Sequence, residues 1–224
     1  TQALKGAIDK AVAAGIPVVC VDADVADSDR YAFIGTDWYQ VGMTHAHAMA
    51  DLTGGRGKVA AMMVIGIDIY EECARGFREG LSEYPNMELI DVYNDESDPA
   101  VAARLTSEIV SAHPDIAGIS IFDAATPGVG AALKELGMGG KIKVTGMNVD
   151  PPQIKYLEEG VFQVLVGQKR ALFGYYGGKT LYEYNHSPVN VTPNDAALGI
   201  TNIPERIDTG LFLVTKDNVS AFKK

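Results

Sequence analysis

Apolar and polar residues alternate along this chain with two different periods. Stretches with apolar residues three and four positions apart are separated by short apolar runs rich in valine and isoleucine. The first pattern predicts helices over residues 3–14, 37–52, 70–84, 98–112, 128–136, 151–159 and 170–184. The second predicts strands over residues 16–21, 31–35, 58–65, 88–93, 117–122, 142–147, 161–166 and 207–214. Residues 185–205 are rich in proline and asparagine, which predicts a loop.

The regular alternation of strands and helices predicts an α/β protein. Such connections cross over between parallel strands, so we expect doubly wound, Rossmann-like parallel sheets with helices on both faces. In these sheets, ligands bind beyond the carboxyl ends of the strands. The residues in that position are mostly polar: Asp22, Asp37, Tyr70, Glu71, Asn94, Asp123, Asn148 and Gln168.

Carboxylates and amides of this kind suit a hydroxyl-rich ligand better than a phosphate. A carboxylate can accept two hydroxyl groups, and the side chains of Asn and Gln both donate and accept. The chain of 224 residues has a formal net charge of −10, which argues against a nucleic-acid partner. Its hydrophobic fraction of 47% is enough for real cores. No apolar run approaches the roughly 20 residues that a membrane span needs.

Motifs for catalysis, phosphate binding or metal binding are missing or misplaced in the sequence. No serine lies in a Gly-x-Ser-x-Gly turn, and neither a Walker motif nor a His-Glu-x-x-His motif occurs. The glycine-rich segment 54–57 precedes a predicted strand instead of following one, so it indicates a helix end and a turn. His45 and His47 are two residues apart on a predicted helix, which favours exposed histidines over a metal site. We therefore expect no enzyme activity, no cofactor and no metal.

Seven short motifs follow one another in a characteristic order. The first three are Gly-Ile-Pro-Val-Val at 15–19 with Asp22, Ile-Gly-Thr-Asp at 34–37 and Arg-Gly-Phe-Arg-Glu-Gly at 75–80. The fourth combines Ala-His-Pro-Asp at 112–115 with the glycine-rich helix start at 127–134. The last three are Val-Thr-Gly-Met-Asn at 144–148, Gly-Gln at 167–168 and Ile-Asp-Thr-Gly at 207–210. In this order they resemble the sugar-binding branch of the type I periplasmic binding proteins, which includes ribose-binding-protein-like substrate-binding proteins of ABC transporters.

This resemblance implies two Rossmann-like lobes joined by a three-segment hinge, with a small polar ligand clamped between them. Hinge closure on the ligand presents a new surface to a membrane ABC permease or to a receptor. The expected lobes are residues 1–36 with 169–206 and residues 38–167 with 208–224, and the hinge crossings lie near 37, 168 and 207. The expected ligand-binding residues are Asp22, Asp37, Glu71, Asp123, Asn148 and Gln168.

The resemblance also implies a function and a location. It predicts a solute-binding protein that captures a sugar or sugar-like ligand for an ABC importer, in the bacterial periplasm or anchored by lipid outside the cell. Two other functions stay open: the ligand-sensing domain of a sugar-responsive regulator or receptor, and a small α/β enzyme. A repressor would need a DNA-binding helix-turn-helix, and an enzyme would need a nucleophile or a phosphate loop after a strand.

The chain departs from the family pattern in two places. The family usually carries an arginine shortly before its Gly-Phe pair, where this chain has Tyr70, Glu71 and Glu72. This change favours a more basic or differently hydroxylated ligand. Family members also have further β-α repeats ahead of the position where this sequence starts. We therefore expect an incomplete first lobe with an exposed apolar edge, which favours a homodimer through that lobe.

Three of the expected ligand residues also have purely structural interpretations. Asp22 is compatible with a turn that follows a strand. Asp37 is compatible with a cap on the helix that begins beside it. Glu71 is compatible with a solvated helix start, where the helix dipole favours a negative charge.

Overall fold

Strands and helices alternate along nearly the whole chain. The computed structural model describes residues 2–186 and 188–222, so residues 1, 187, 223 and 224 of the expected lobes lie outside the described residues. The helices are α1 (Lys5–Ala13), α2 (Trp38–Thr53), α3 (Asp68–Ser82), α4 (Pro99–Ala112), α5 (Thr126–Glu135), α6 (Pro151–Glu158), α7 (Arg170–His186) and α8 (Asp195–Leu198). The strands are β1 (Val19–Val21), β2 (Ala32–Gly35), β3 (Arg56–Met63), β4 (Asn86–Asn94), β5 (Ile116–Ile121), β6 (Lys143–Met147), β7 (Val164–Gln168), β8 (Arg206–Asp208) and β9 (Leu211–Thr215).

These elements form two compact units. Unit 1 comprises the described residues of Thr1–Asp37 and Gln168–Gly210, and unit 2 comprises those of Trp38–Gly167 and Leu211–Lys224. The chain thus passes from one unit to the other after residues 37, 167 and 210. The crossings predicted from the sequence lie near 37, 168 and 207.

The sheet of unit 2 has the strand order β4-β3-β5-β6-β7-β9. Strand β3 pairs in parallel with both β4 and β5, and the pairs from β5 through β7 are also parallel. The chain runs from β3 outward to β4 and then returns to the other side of β3 to form β5. The strand order therefore reverses at β3, and the carboxyl ends beside this reversal are where open parallel sheets bind ligands.

Both faces of this sheet are buried. Val59, Ala61 and Met63 of β3 pack into an apolar cluster with α2 and α3, whereas Ala60 and Met62 pack into a second cluster with α4, α5 and α6. Successive side chains of a strand point to opposite faces, so a strand covered on both faces is apolar at most of its buried positions. Burying one large apolar side chain contributes about 1.5–3 kcal/mol.

The sheet of unit 1 has the order β1-β2-β8, and both strand pairs are parallel. Its buried residues include Ala32, Ile34 and Ile203, and Tyr176 and Tyr184 of α7 pack against them. Helix α7 therefore covers one face of the small sheet. The parallel sheets of the two units confirm the predicted α/β class.

The single strand expected over residues 207–214 is in fact two strands. Strand β8 belongs to unit 1 and β9 to unit 2, with Gly210 between them. Gly210 has a φ of 71°, a left-handed conformation that glycine adopts without strain. Its N–H donates to Asp208 Oδ1 over 2.9 Å. The expectation was wrong because a break at one glycine leaves the apolar pattern on either side unchanged.

Helices α2 and α3 cross at backbone contact. A Cβ atom at Gly42 would lie 2.1 Å from the carbonyl oxygen of Cys73, and one at Gly76 would lie 2.1 Å from the carbonyl oxygen of Tyr39. Both distances are far shorter than a van der Waals contact, so the crossing admits only glycine at these two positions.

We predict that Gly42→Ala destabilises unit 2, because the added methyl group has to push the two backbones apart. Overpacking of this kind costs about 1–3 kcal/mol, which urea unfolding would detect. Gly178→Ala is the matched control, since a Cβ there meets nothing within 4 Å. The control should be neutral or stabilising by up to about 1 kcal/mol. Equal stability of Gly42→Ala and the wild type would contradict the crossing geometry.

A short polar chain runs through the core of unit 2. The fully buried His45 places Nδ1 2.9 Å from Thr145 Oγ1, which lies 2.7 Å from Ser120 Oγ. Burial lowers the pKa of His45 to about 3, so its ring is neutral at ordinary pH. His47 is exposed, with Nε2 3.0 Å from Glu83 Oε2. The expectation of two exposed histidines is therefore wrong for His45, whose helix face turns inward.

We predict that His45 makes unit 2 less stable as the pH falls. The unfolded chain binds a proton at this histidine near pH 6.5, whereas the folded chain does so only near about 3. Within that window the contribution of His45 to the free energy of unfolding should fall by up to about 1.4 kcal/mol for each unit by which the pH falls.

The measurement is urea unfolding at several pH values between about 5 and about 7. Other buried groups contribute equally to the wild type and to the variant, so the difference between their pH profiles isolates His45. His45→Asn should remove this contribution, so that its free energy of unfolding gains less with rising pH than that of the wild type, and His47→Asn, which removes an exposed histidine, should follow the wild-type profile. Parallel pH profiles for His45→Asn and the wild type would show that His45 does not set the slope.

Candidate functional site

In unit 1, Asp22 directly follows β1 and has an unusual backbone conformation. Its φ is 67°, in the left-handed region that Asp and Asn tolerate better than most residues. Its N–H donates to the carbonyl oxygen of Ile34 on β2 over 3.1 Å. The strand end therefore holds the backbone in place and leaves the Asp22 side chain exposed.

Gln168 joins Asp22 to the end of β2. Its Nε2 donates to Thr36 Oγ1 over 3.0 Å and to Asp22 Oδ1 over 3.3 Å. Thr36 is fully buried, which fixes the position of the amide group. Unit 1 thus brings together two expected ligand residues and Thr36, which the sequence analysis missed. Its position directly after β2 was the available signal.

Asp37, the last residue before α2, lies near a cation. Its Oδ2 is 3.7 Å from Nη2 of Arg206, whose guanidinium also stacks 5.0 Å from the centroid of the Phe33 ring. Half of the Arg206 side chain is exposed, so this ion pair contributes at most about 1 kcal/mol.

In unit 2, Asn148 repeats the geometry of Asp22. It directly follows β6, has a φ of 74°, and donates its N–H to the carbonyl oxygen of Val166 over 3.0 Å. Each unit therefore ends one strand with an Asx residue in the left-handed conformation, held by a bond to the neighbouring strand. A β-branched residue at either position would be strained.

Two other polar residues of unit 2 stabilise their own loops. Glu71 is exposed in the first turn of α3, and its Oε1 accepts the N–H of Gly66 over 3.0 Å. Asn94 Oδ1 accepts the N–H groups of Ile65 and Glu96, each over 3.3 Å. The ring of Tyr70, near Glu71, packs edge-on against that of Trp38 at 5.8 Å between centroids.

Asp123, which follows β5, is buried beside a second carboxyl group. It is 3% exposed, and Asp95, which follows β4, is 0% exposed. Asp123 Oδ1 accepts the N–H of Ala125 over 2.8 Å. Burial and, after it, the neighbouring Asp95 together raise the pKa of Asp123 to about 8. Asp95 was not among the residues predicted from the sequence, in which Asn94 directly follows the predicted strand.

The described residues hold no group of three or more His, Cys, Asp or Glu side chains that could bind a metal ion. Within residues 2–186 and 188–222, no helix is both long enough and apolar enough to cross a bilayer.

Two curated relatives are D-apiose import binding proteins. The chain is 27% identical over 137 residues to the one from Paraburkholderia graminis, and 28% identical over 135 residues to the one from Actinobacillus succinogenes. These matches cover 60% and 59% of this chain but 44% of each relative. The chain thus spans less than half the length of the curated relatives it matches.

Similar solved structures are also binding proteins. The sugar-binding protein of a sugar ABC transporter from Bacillus halodurans is 30% identical with a TM-score of 0.91, over 98% of this chain and 76% of that chain. An arabinose-binding protein from Geobacillus stearothermophilus is 30% identical with a TM-score of 0.88, over 100% of this chain and 76% of that chain. A solute-binding protein from Burkholderia graminis, in complex with D-arabinose, is 27% identical with a TM-score of 0.87, over 100% and 75% of the two chains.

The family model described as the periplasmic binding protein domain matches residues 1–186, which is most of the chain. This agrees with the resemblance that the seven sequence motifs indicated. The chain belongs to the periplasmic binding protein domain family.

Proposed function

We propose that this chain is part of a solute-binding protein that captures a sugar or sugar-like ligand for an ABC importer and catalyses no reaction. The observation that carries the proposal is the set formed by Asp22, Thr36 and Gln168 at the strand ends of unit 1. A carboxylate, a hydroxyl and an amide held together at such a position suit the hydroxyl groups of a sugar. Relatives named for D-apiose and arabinose support the same ligand class.

We propose six residues as ligand contacts. Gln168 and the two carboxylates of unit 1 would bind hydroxyl groups, because a carboxylate accepts two such bonds and an amide both donates and accepts. In unit 2, Asn148 would act from the left-handed position that matches that of Asp22. The proposed set is Asp22, Asp37, Glu71, Asp123, Asn148 and Gln168.

A membrane ABC permease is the partner that this proposal requires. The family supports a periplasmic location, and anchoring by lipid outside the cell is the alternative for bacteria without a periplasm. Neither the permease partner nor the location depends on which sugar is bound.

We predict that Asp22→Asn and Gln168→Ala each weaken sugar binding by about 10- to 100-fold, which corresponds to about 1.4–2.8 kcal/mol. Asn keeps a side chain that tolerates the φ of 67° and removes one carboxylate. Asp51→Asn, at an exposed position of α2, makes the same chemical change away from the strand ends and is the control.

The measurement is a thermal-shift screen against pentoses and hexoses, followed by calorimetry with any sugar that binds. A ligand at a hundred times its Kd adds about 2.7 kcal/mol of stability. A sugar recovered unchanged after long incubation would support binding without catalysis. If no sugar of the panel raises the melting temperature, or if both variants bind with unchanged affinity, the result would count against the proposed site.

We also propose that unit 1 self-associates through the outer edge of β1. This strand ends the sheet order β1-β2-β8, and the nearby side chains of Ile16 and Val21 are 57% and 45% exposed. Pairing with β1 of a second copy would bury these side chains and cover the strand edge.

If unit 1 self-associates, the sedimentation coefficient should rise with protein concentration. Val21→Lys should shift the equilibrium toward the monomer, because a lysine on an edge strand disfavours pairing. A wild-type chain that sediments as a monomer at every concentration would contradict self-association.

A further inference from the structure

The two buried carboxyl groups of unit 2 each organise one loop at the reversal of strand order. Asp95 Oδ1 accepts the N–H of Ser97 over 3.0 Å, and its carbonyl oxygen accepts the N–H of Asp98 over 2.9 Å. Glu96 and Ser97 between them have φ values of 57° and 55°, which are uncommon for residues other than glycine. Asp95 therefore holds the loop between β4 and α4 in a conformation that it would not adopt unaided.

Asp123 does the same for the loop between β5 and α5. Its Oδ1 accepts the N–H of Ala125, and its carbonyl oxygen accepts the hydroxyl of Thr126 over 2.7 Å. The same hydroxyl lies 3.2 Å from the carbonyl oxygen of Met147 at the end of β6. The loop is thereby fixed to the neighbouring strand.

The helices that follow these two loops touch through their backbones. A Cβ atom at Gly128 of α5 would lie 1.9 Å from the carbonyl oxygen of Pro99, the first residue of α4. Both loops are also bound to the end of β3: Asp95 donates its N–H to the carbonyl oxygen of Met63 over 3.3 Å, and Phe122, just before Asp123, donates to that of Met62 over 3.1 Å. The two aspartates therefore flank the end of the same strand.

One oxygen of each carboxyl group lacks a donor. Asp95 Oδ2 and Asp123 Oδ2 are buried, and no N–H or hydroxyl group of the described residues bonds either atom. A buried carboxylate oxygen without a donor is destabilising, and two adjacent carboxylates also repel each other. A single proton on one carboxyl group, donated to the other, removes both penalties.

The other charged side chains nearby do not offer an alternative. Glu96 and Asp98 are exposed on the same loop, and both are acidic. Arg104 of α4 and Lys134 of α5 form exposed ion pairs with Glu108 and Glu159. Lys58 of β3 pairs with Asp115. The charge that acts on Asp123 is therefore that of Asp95.

We infer that Asp95 and Asp123 share one proton at neutral pH, and that this proton ties the β4–α4 loop to the β5–α5 loop. Asp95 is then a positioning residue for the strand-end edge of unit 2. The inference goes beyond the proposed function, because the shared proton is present with or without a ligand.

The pH dependence has a definite sign. Burial raises the pKa of both groups, and that of Asp123 to about 8, so the folded pair holds a proton that an unfolded aspartate releases above about 4. The pair titrates as one system. The stability it supplies is present at low pH and is lost as the pH rises from about 4 to about 8.

The first test is an NMR titration of the wild type labelled with ¹³C at aspartate carboxyl groups. Close to neutral pH one buried aspartate signal should report a protonated or proton-sharing carboxyl group, and the signal should change in a step near the pKa of about 8. Fully ionised signals for both residues across the range from about pH 5 to about pH 9 would overturn the inference. This test needs neither a ligand nor a variant.

Asp95→Asn and Asp123→Asn provide the second test. An asparagine amide can donate to the remaining carboxylate, so no shared proton is needed. The titration step near the pKa of about 8 should be absent in Asp123→Asn and should move to lower pH in Asp95→Asn, where Asp123 is still buried. In both variants the decline of unfolding free energy between about pH 6 and about pH 9 should become less steep, by the equivalent of up to about one bound proton. Asp51→Asn should retain both features of the wild type. Variants that keep the step and the slope would overturn the assignment, and if neither variant folds, the wild-type titration decides.

Discussion

Everything in unit 2 follows from a parallel sheet that is buried on both faces. Strand β3 has apolar side chains on two sides, and each side needs its own layer of helices. The chain meets this requirement by crossing from one side of β3 to the other, which reverses the strand order. Apart from the buried Ser120 and Thr145, polar side chains are then largely excluded from the central strands and collect where the strands end. The reversal, the two helical layers and the row of carboxylates and amides are consequences of the same burial.

The buried titratable groups of unit 2 make its stability depend on pH in opposite directions. His45 is held neutral by burial, so folding disfavours its protonation. The Asp95 and Asp123 pair is held partly protonated by burial, so folding favours its protonation. One effect weakens the fold as the pH falls and the other weakens it as the pH rises. Burial is the largest cause of both, because it disfavours whichever form carries the charge.

The two units share one backbone conformation at the ends of two different strands. Asp22 and Asn148 both take the left-handed conformation and both bond through their N–H groups to the adjacent strand. This arrangement turns the chain sharply and fixes the Cα from which a polar side chain projects. It also explains why these positions carry Asp and Asn, since few other residues accept that backbone conformation. A ligand-binding role and a turn-forming role are therefore compatible at these residues.

The sequence by itself determined the order of strands and helices, the α/β class and most of the polar residues at strand ends, since these depend on local periodicity and on residue type. The family resemblance also followed from short motifs in order. Tertiary structure alone decided that Gln168 reaches Thr36 and Asp22, residues more than a hundred positions away. It alone decided that His45 turns inward, that Gly210 divides one apolar run into β8 and β9, and that Asp95 lies beside Asp123. These features depend on which strands become neighbours, and the order of strands in a sheet is set by the packing of distant segments rather than by any local pattern.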